Sequence, residues 1–185
     1  MPRAFVAIDI DEAVRHQLVG AQERLAATGA QLKLVEPPNI HVTMKFLGDV
    51  PEDRVGAVAD ALRRAADGAS QFDLGVRGIG VFPNLRRIRV VWAGVSEGRE
   101  GVKGLQQAVD RALEPLEFRP ERDFVPHLTL ARVKTAREKE RLAVFVEEMA
   151  GADFGVSRAE AIELKQSTLT PKGPIYSTLE RVELG

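Results

Sequence analysis

The sequence predicts an α+β fold of two pseudo-symmetric α/β lobes, with mainly antiparallel sheets lining a central cleft and helices outside. Three observations lead to this class. Short apolar segments alternate with helical patterns, the order of these elements occurs twice, and a His-x-Thr-x tetrad occurs at the same point of each unit. The 185 residues, 44% of them hydrophobic and 29% charged, suffice for one globular domain of two small lobes that share a core.

Five elements are predicted in the first unit. Helices are indicated by apolar residues recurring every three or four positions, and strands by short β-branched or alternating apolar segments. Asp11 is a suitable N-cap for the first helix, and Gly48 and Pro51 end the last strand. The elements are a strand at Ala4–Ile10, a helix at about 12–28, a short strand at Leu32–Val35, a strand at Ile40–Leu47 and a helix at about 52–66.

The following segment begins with two strands, at Phe72–Val81 and Arg87–Val95, joined by a Pro83-Asn84 turn. The order of the first unit then returns. A helix at about 99–114 is followed by a strand at Pro126–Val133, a helix at about 136–149, and strands at Phe154–Gln166 and Ile175–Leu184 joined by a Lys172-Gly173-Pro174 turn.

The two tetrads mark an internal duplication. His41 and His127 lie 86 residues apart, and the same shift superimposes Phe5–Ile10 on Val91–Ser96. Two copies are too few for a solenoid. We therefore expect a single bilobal domain over residues 1–185, with repeat units of roughly 3–86 and 87–185. The two units should face each other across a cleft, where ligand sites tend to form.

Within each tetrad the histidine and the threonine point to the same side of the strand, because side chains alternate. His41 and Thr43 would thus face His127 and Thr129. Such a set suits metal-free phosphodiester chemistry. One imidazole can act as base and the other as acid, since the unperturbed histidine pKa is about 6.5. Hydroxyls and a nearby arginine would hold the phosphate oxygens.

Strand alternation makes the neighbouring residues less certain participants. Arg132 lies five residues after His127, on the opposite side of an ideal strand, so it needs a bulge, the strand end or a long reach to join the site. Lys45 has the right parity but is equally consistent with a solvated face. Phe46 has core parity, which argues against a role in stacking on a base.

Structural explanations of the histidines and arginines, together with the net charge, also restrict the function. A lone strand histidine is usually structural, and His16, outside any tetrad, is expected on the surface. Two histidines with no carboxylate nearby are too few for a zinc site, so we expect no metal and no cofactor. The net charge of −1 argues against generic nucleic-acid binding. Arg86 and Arg87 are more simply a solvated strand edge.

Composition bears on the compartment. The absence of cysteine excludes disulfides and thiolate catalysis and is consistent with a cytoplasmic protein. No segment reaches the length of a membrane span, and the first residues lack a signal-peptide pattern. We expect no membrane partner and a monomer.

The paired tetrads and the duplication resemble the 2H phosphoesterase superfamily, which is named for two H-x-[ST]-x motifs. The closer resemblance is to its RNA 2′,3′-cyclic phosphodiesterase (2′-5′ RNA ligase-like) branch, and it covers nearly the whole chain. The segments that carry it are Ala4–Ile10, Asn39–Gly48, Gly80–Pro83, Arg89–Trp92, Pro126–Arg132, Ser167-x-Leu169 and Gly173-Pro174-x-Tyr176.

The resemblance implies hydrolysis of RNA 2′,3′-cyclic phosphate ends to 2′-phosphomonoesters, so that RNA with a cyclic phosphate or 2′-phosphate end is the partner. It implies His41 as proton donor and His127 as proton acceptor, with Thr43, Thr129 and Arg132 binding substrate. ATP-independent 2′-5′ ligation would be a reverse activity. Two alternatives stay open: a phosphodiesterase for small cyclic nucleotides, and a non-catalytic module that binds RNA ends.

Overall fold

The computed structural model describes all residues from Met1 to Gly185. Four helices are present, along with two single-turn 3-10 helices at Pro37–Asn39 and Glu114–Leu116. The helices are α1 (Glu12–Ala26), α2 (Glu52–Ala66), α3 (Arg99–Leu113) and α4 (Lys139–Glu148). The nine strands are β1 (Arg3–Ile8), β2 (Leu32–Leu34), β3 (Val42–Asp49), β4 (Phe72–Asn84), β5 (Arg87–Val95), β6 (His127–Val133), β7 (Asp153–Ala159), β8 (Ala161–Thr170) and β9 (Gly173–Glu183).

The strands form one strongly curled antiparallel sheet in the order β7-β4-β5-β6-β3-β1-β8-β9, with β2 paired to β6 beside β3. The two tetrad strands are neighbours at its centre, joined by the pair Val42–Leu128. These two residues are themselves 86 positions apart, so the pseudo-two-fold axis passes between β3 and β6. The predicted fold class is confirmed.

The halves of the sheet do not coincide with the repeat units of the sequence. Strand β4 belongs to the first unit, but it pairs with β5 and β7 in the half that contains β6. Strand β8 belongs to the second unit, but it pairs with β1 in the half that contains β3. The units therefore exchange their last strands, which interlocks the two halves.

Three predicted boundaries are wrong. The turn predicted at Lys172-Gly173-Pro174 lies at Pro171-Lys172, because Gly173 and Pro174 already pair within the β8–β9 hairpin. The segment predicted as one strand at Phe154–Gln166 is broken at Glu160 into β7 and β8, which lie near opposite ends of the sheet. No glycine or proline marks this break in the sequence. The turn predicted at Pro83-Asn84 lies two residues later, at Leu85-Arg86, because both predicted residues still pair within the β4–β5 hairpin. The Asn84 side chain instead accepts hydrogen bonds from the next backbone amides, those of Arg86 and Arg87.

The helices pack against the face of the sheet opposite the cleft. The predicted inward face of α1 is confirmed, since Val14, Leu18, Ala21 and Leu25 are buried in the same apolar core as the strands. Asp11 stands at the N-cap position, but its side chain accepts a hydrogen bond from the Arg158 backbone and caps nothing. No helix is long and apolar enough to cross a membrane.

Candidate active site

The two tetrads meet at a cleft of about 530 Å³ on the concave face of the sheet. His41, Thr43, His127 and Thr129 all line it, so the structure brings together the four residues that the repeat predicts. Antiparallel continuation of the Val42–Leu128 pair sets each histidine opposite the threonine of the other tetrad. No residue of α1–α4 reaches the cleft.

Each tetrad ends in a β-bulge at its fourth residue. In β3 the extra residue is Met44, which lies between Thr43 and Lys45 and has no partner on β1. In β6 it is Leu130, which is passed over in the pairing with β5. The two bulges are again 86 residues apart. Because a bulge adds one residue to the alternation, the residues beyond it change faces.

The bulge at Leu130 brings Arg132 to the cleft, where its exposed side chain joins the lining. The irregularity that Arg132 needed is therefore present. The β2 strand and α1 hold this bulge: the Leu130 carbonyl accepts hydrogen bonds from the Val35 amide (2.9 Å) and from the Gln22 side chain (2.9 Å).

The equivalent bulge at Met44 overturns the core interpretation of Phe46. The Phe46 ring is 69% exposed, lines the cleft and contacts Phe5, with ring centroids 6.2 Å apart. Phe46 and Arg132 occupy equivalent places in the two units, since they too are 86 residues apart. One end of the cleft thus offers an aromatic face and the other a guanidinium.

Lys45 is among the residues that line the cleft, but its side chain is buried and its charge is paired with Asp110. The bulge turns it toward the helix layer, where it is buried and its ammonium binds Asp110 of α3 at 2.6 Å and the Arg119 carbonyl. Asp110 also accepts a hydrogen bond from the Glu121 amide at 3.0 Å. This buried pair therefore anchors the loop over residues 121–125, which forms one wall of the cleft.

His127 is oriented by the backbone and by two aromatic rings. Its Nδ1 donates a hydrogen bond to the Val125 carbonyl at 2.7 Å, which leaves Nε2 without a protein partner. Phe82 meets the imidazole edge-on at 5.0 Å, and Trp92 lies 6.1 Å away. The Trp92 ring lies so close to Gly80 that a Cβ there would be 2.3 Å from it. Glycine at 80 thus makes room for the tryptophan behind His127.

His41 is held in a similar but tighter environment. Its ring stacks on Phe5 at 5.1 Å and meets the edge of Tyr176 at 5.4 Å. Nε2 lies 2.8 Å from the Thr43 hydroxyl, whereas the buried Nδ1 has no hydrogen-bond partner. The backbone of Asn39, two residues earlier, acts to raise the His41 pKa.

Burial lowers the pKa of both histidines. For His41 the pKa falls from 6.5 to about 4, mainly through loss of solvent and secondarily through the charge of Lys165. The pKa of His127 is also lowered, by burial first and by the Arg132 charge to a smaller degree, while its bond to Val125 acts in the opposite direction. Both imidazoles are therefore neutral near pH 7 in this environment.

Sequence reasoning missed several residues that place the tetrads. The Arg15 guanidinium, from α1, binds the Ile40 carbonyl at 3.2 Å and Asp9 at 2.6 Å, which fixes the chain just before His41. The Asn39 side chain donates to the Pro174 carbonyl at 2.9 Å and ties the same segment to β9. No sequence signal identifies them, because the backbone carbonyls that they bind are distant in sequence. His16 is exposed, as expected.

The sequence matches the LigT-like phosphoesterase family profile twice, at residues 8–92 and 94–176. The two matches begin 86 residues apart, which is the spacing of the two histidines. The family motif therefore corresponds to one repeat unit, and the chain contains two.

Known proteins resemble the chain over nearly its full length. An RNA 2′,3′-cyclic phosphodiesterase of Methanothermobacter thermautotrophicus is 44% identical over 178 residues, which are 96% of each chain. A protein of the same name from Methanocaldococcus jannaschii is 37% identical over 96% of this chain and 98% of its own. The crystal structure of a Thermus thermophilus protein superimposes with a TM-score of 0.82 at 31% identity, covering 98% and 97% of the two chains. The chain belongs to the LigT-like phosphoesterase family of the 2H superfamily and is an enzyme of that family.

Proposed function

We propose that the protein hydrolyses a 2′,3′-cyclic phosphate at the end of RNA to a 2′-phosphomonoester, without metal or cofactor. The observation that carries this proposal is the meeting of two His-x-Thr tetrads at one cleft. The names of the relatives support the choice of substrate.

In the proposed mechanism His127 is the base and His41 the acid. Nε2 of His127 accepts a proton from water as the water oxygen attacks phosphorus. The P–O3′ bond breaks, and His41 delivers its proton to O3′, leaving the phosphate on O2′. The bond from Nδ1 of His127 to the Val125 carbonyl supports this role, because it fixes the tautomer with a free Nε2 lone pair.

The pKa of His41 opposes an acid role before substrate binds, since an imidazole with a pKa of about 4 is neutral at pH 7. The bound cyclic phosphate brings a negative charge next to both rings, and such a charge raises the histidine pKa. Protonation of His41 therefore accompanies substrate binding in this mechanism. The acid and base assignment itself rests on the family resemblance.

The remaining cleft residues bind the substrate in this proposal. Thr43 and Thr129 donate hydrogen bonds to the non-bridging phosphate oxygens, and Arg132 supplies the charge that offsets the negative transition state. Phe46 offers its exposed ring to the terminal base, and stacking of this kind tolerates any base.

The test uses an oligonucleotide and a mononucleotide, each with a 2′,3′-cyclic phosphate. His41→Ala and His127→Ala should each abolish turnover of both while the circular dichroism spectrum stays native. His16→Ala, at an exposed position, is the matched control and should keep full activity. Turnover should also survive exhaustive chelation. Full activity in either tetrad variant, or activity that requires added metal, would refute the mechanism.

The same experiment separates the alternatives. Turnover of the mononucleotide alone would indicate a small cyclic nucleotide as substrate, and tight end binding without turnover would indicate an RNA-end binding module. We further propose ATP-independent 2′-5′ joining as the reverse reaction, a monomeric cytoplasmic protein, and one bilobal domain over residues 1–185.

A further inference from the structure

Unpaired positive charges gather at one end of the cleft. Six exposed cations, here called the basic rim, lie on β2, on the β4–β5 hairpin, and on β6 or directly after it: Lys33, Arg86, Arg87, Arg89, Arg132 and Lys134. None of them takes part in any of the 12 ion pairs of the protein. In a chain whose net charge is −1, this is a local concentration of charge without internal partners.

The strand register places four of these six cations in two rows, Lys33 and Arg132 in the first and Arg87 and Lys134 in the second. Lys33 pairs with Arg132, which pairs with Val90 of β5. This first row belongs to the cleft lining. Val90 pairs in turn with Phe82 of β4. Arg87 pairs with Asn84, which lies two residues beyond Phe82 on the same strand. Two strand residues span about 7 Å and return to the same face, so Arg87 continues the cleft surface outward.

Lys134, the first residue after β6, continues the same surface. It lies two residues beyond Arg132, next to β2, where its amide binds the Gln31 carbonyl at 2.9 Å. Arg87 and Lys134 both lie outside the cleft lining. Arg87 and Lys134 are therefore placed to contact the part of a ligand that extends out of the cleft, and not the part bound within it.

The opposite end of the cleft differs in chemistry. There the pseudo-symmetric counterpart of Arg132 is the exposed ring of Phe46, and Lys172 is the single cation of the β8–β9 hairpin tip that lines the cleft. A nucleotide bound between the histidines has a base on one side and a 5′-phosphate on the other. The aromatic end suits the base, and the basic rim suits the phosphates.

We propose that the RNA body leaves the cleft over the basic rim, with the backbone phosphates upstream of the terminal nucleotide bound by Arg87 and Lys134. This inference rests on the proposed function and gives the substrate a direction. Contacts of this kind carry no base selectivity, so the enzyme accepts RNA ends of any upstream sequence. The low net charge keeps the affinity modest and lets the product leave.

The test compares two substrates, a cyclic mononucleotide and an oligonucleotide of about six nucleotides, each ending in a 2′,3′-cyclic phosphate. Arg87→Gln/Lys134→Gln should lower kcat/KM for the oligonucleotide roughly five- to tenfold, the effect of two exposed charge contacts. The mononucleotide does not reach the second row and should react at its wild-type rate. The slope of log Kd for the oligonucleotide product against log salt should fall by about 1.4, two phosphates at about 0.7 each.

The matched control is Arg64→Gln/Arg111→Gln, which removes two exposed arginines from α2 and α3 that form no ion pair and lie outside the cleft lining. It should leave both substrates unaffected. An unchanged oligonucleotide rate in the basic-rim variant would overturn the inference. So would an equal loss on both substrates, or an oligonucleotide defect produced instead by Lys172→Gln. Wild-type protein inactive on both substrates would refute the proposed function itself.

Discussion

Protonation of His41 should destabilise the fold in mildly acidic solution. Its pKa is about 4 in the folded protein, against 6.5 for an unperturbed histidine. The unfolded chain therefore binds more protons between these two values, and stability is lost as the pH falls from 6.5 toward 4. At 1.36 kcal/mol per pKa unit, His41 alone accounts for a loss of about 3 kcal/mol in the free energy of unfolding.

The assay is urea unfolding of the wild type and of His41→Gln at several pH values between about 7 and 4. Glutamine cannot titrate, so the variant should lose about 3 kcal/mol less than the wild type over this interval. His127 contributes in the same direction in both proteins and cancels in the comparison. His16→Gln serves as the matched control and should keep the wild-type pH dependence.

The reasoning is wrong if the wild type and His41→Gln lose the same free energy between pH 7 and pH 4. A second measurement is independent of stability. The imidazole proton resonances of His41 should titrate near pH 4 in the free protein and at higher pH with a 2′-phosphomonoester bound. Unchanged titration in the complex would contradict the mechanism in which the phosphate protonates His41.

Further predictions concern single side chains near the cleft. Lys45→Met leaves Asp110 buried and unpaired, so urea unfolding should show a loss of about 3–5 kcal/mol in the free energy of unfolding. Most of this loss should be recovered in Lys45→Met/Asp110→Leu. A loss under about 1 kcal/mol would mean that the pair does not anchor the loop that forms the cleft wall. Phe46→Ala should raise KM by the equivalent of about 1–3 kcal/mol while stability stays within about 0.5 kcal/mol. A loss of stability with an unchanged KM would indicate that Phe46 packs in the core and does not contact substrate. Arg132→Gln should lower kcat/KM about 100-fold. It should also shift the acidic limb of the kcat/KM–pH profile to higher pH, because the Arg132 charge lowers the His127 pKa. An acidic limb at the wild-type pH would mean that it does not report the titration of His127.

Strand alternation predicted the face of the sheet correctly for some cleft residues and wrongly for others. Alternation along β3 and β6 correctly paired His41 with Thr43 and His127 with Thr129, because those residues precede the bulges. It failed for Phe46, which follows the bulge at Met44. A bulge depends on the pairing of one strand with its neighbour, so no local pattern in the tetrad strand reveals it.

The sequence by itself determined the pairing of the two histidines, the duplication and the fold class, since these follow from two His-x-Thr-x tetrads at an 86-residue spacing and from apolar periodicity. Tertiary structure alone decided that the units exchange β4 and β8, that two bulges bring Phe46 and Arg132 into the cleft, and that burial lowers the pKa of both histidines. The physical reason is the same in each case. Strand partners, register shifts and desolvation arise between segments distant in the chain, whereas residue identity and periodicity are local.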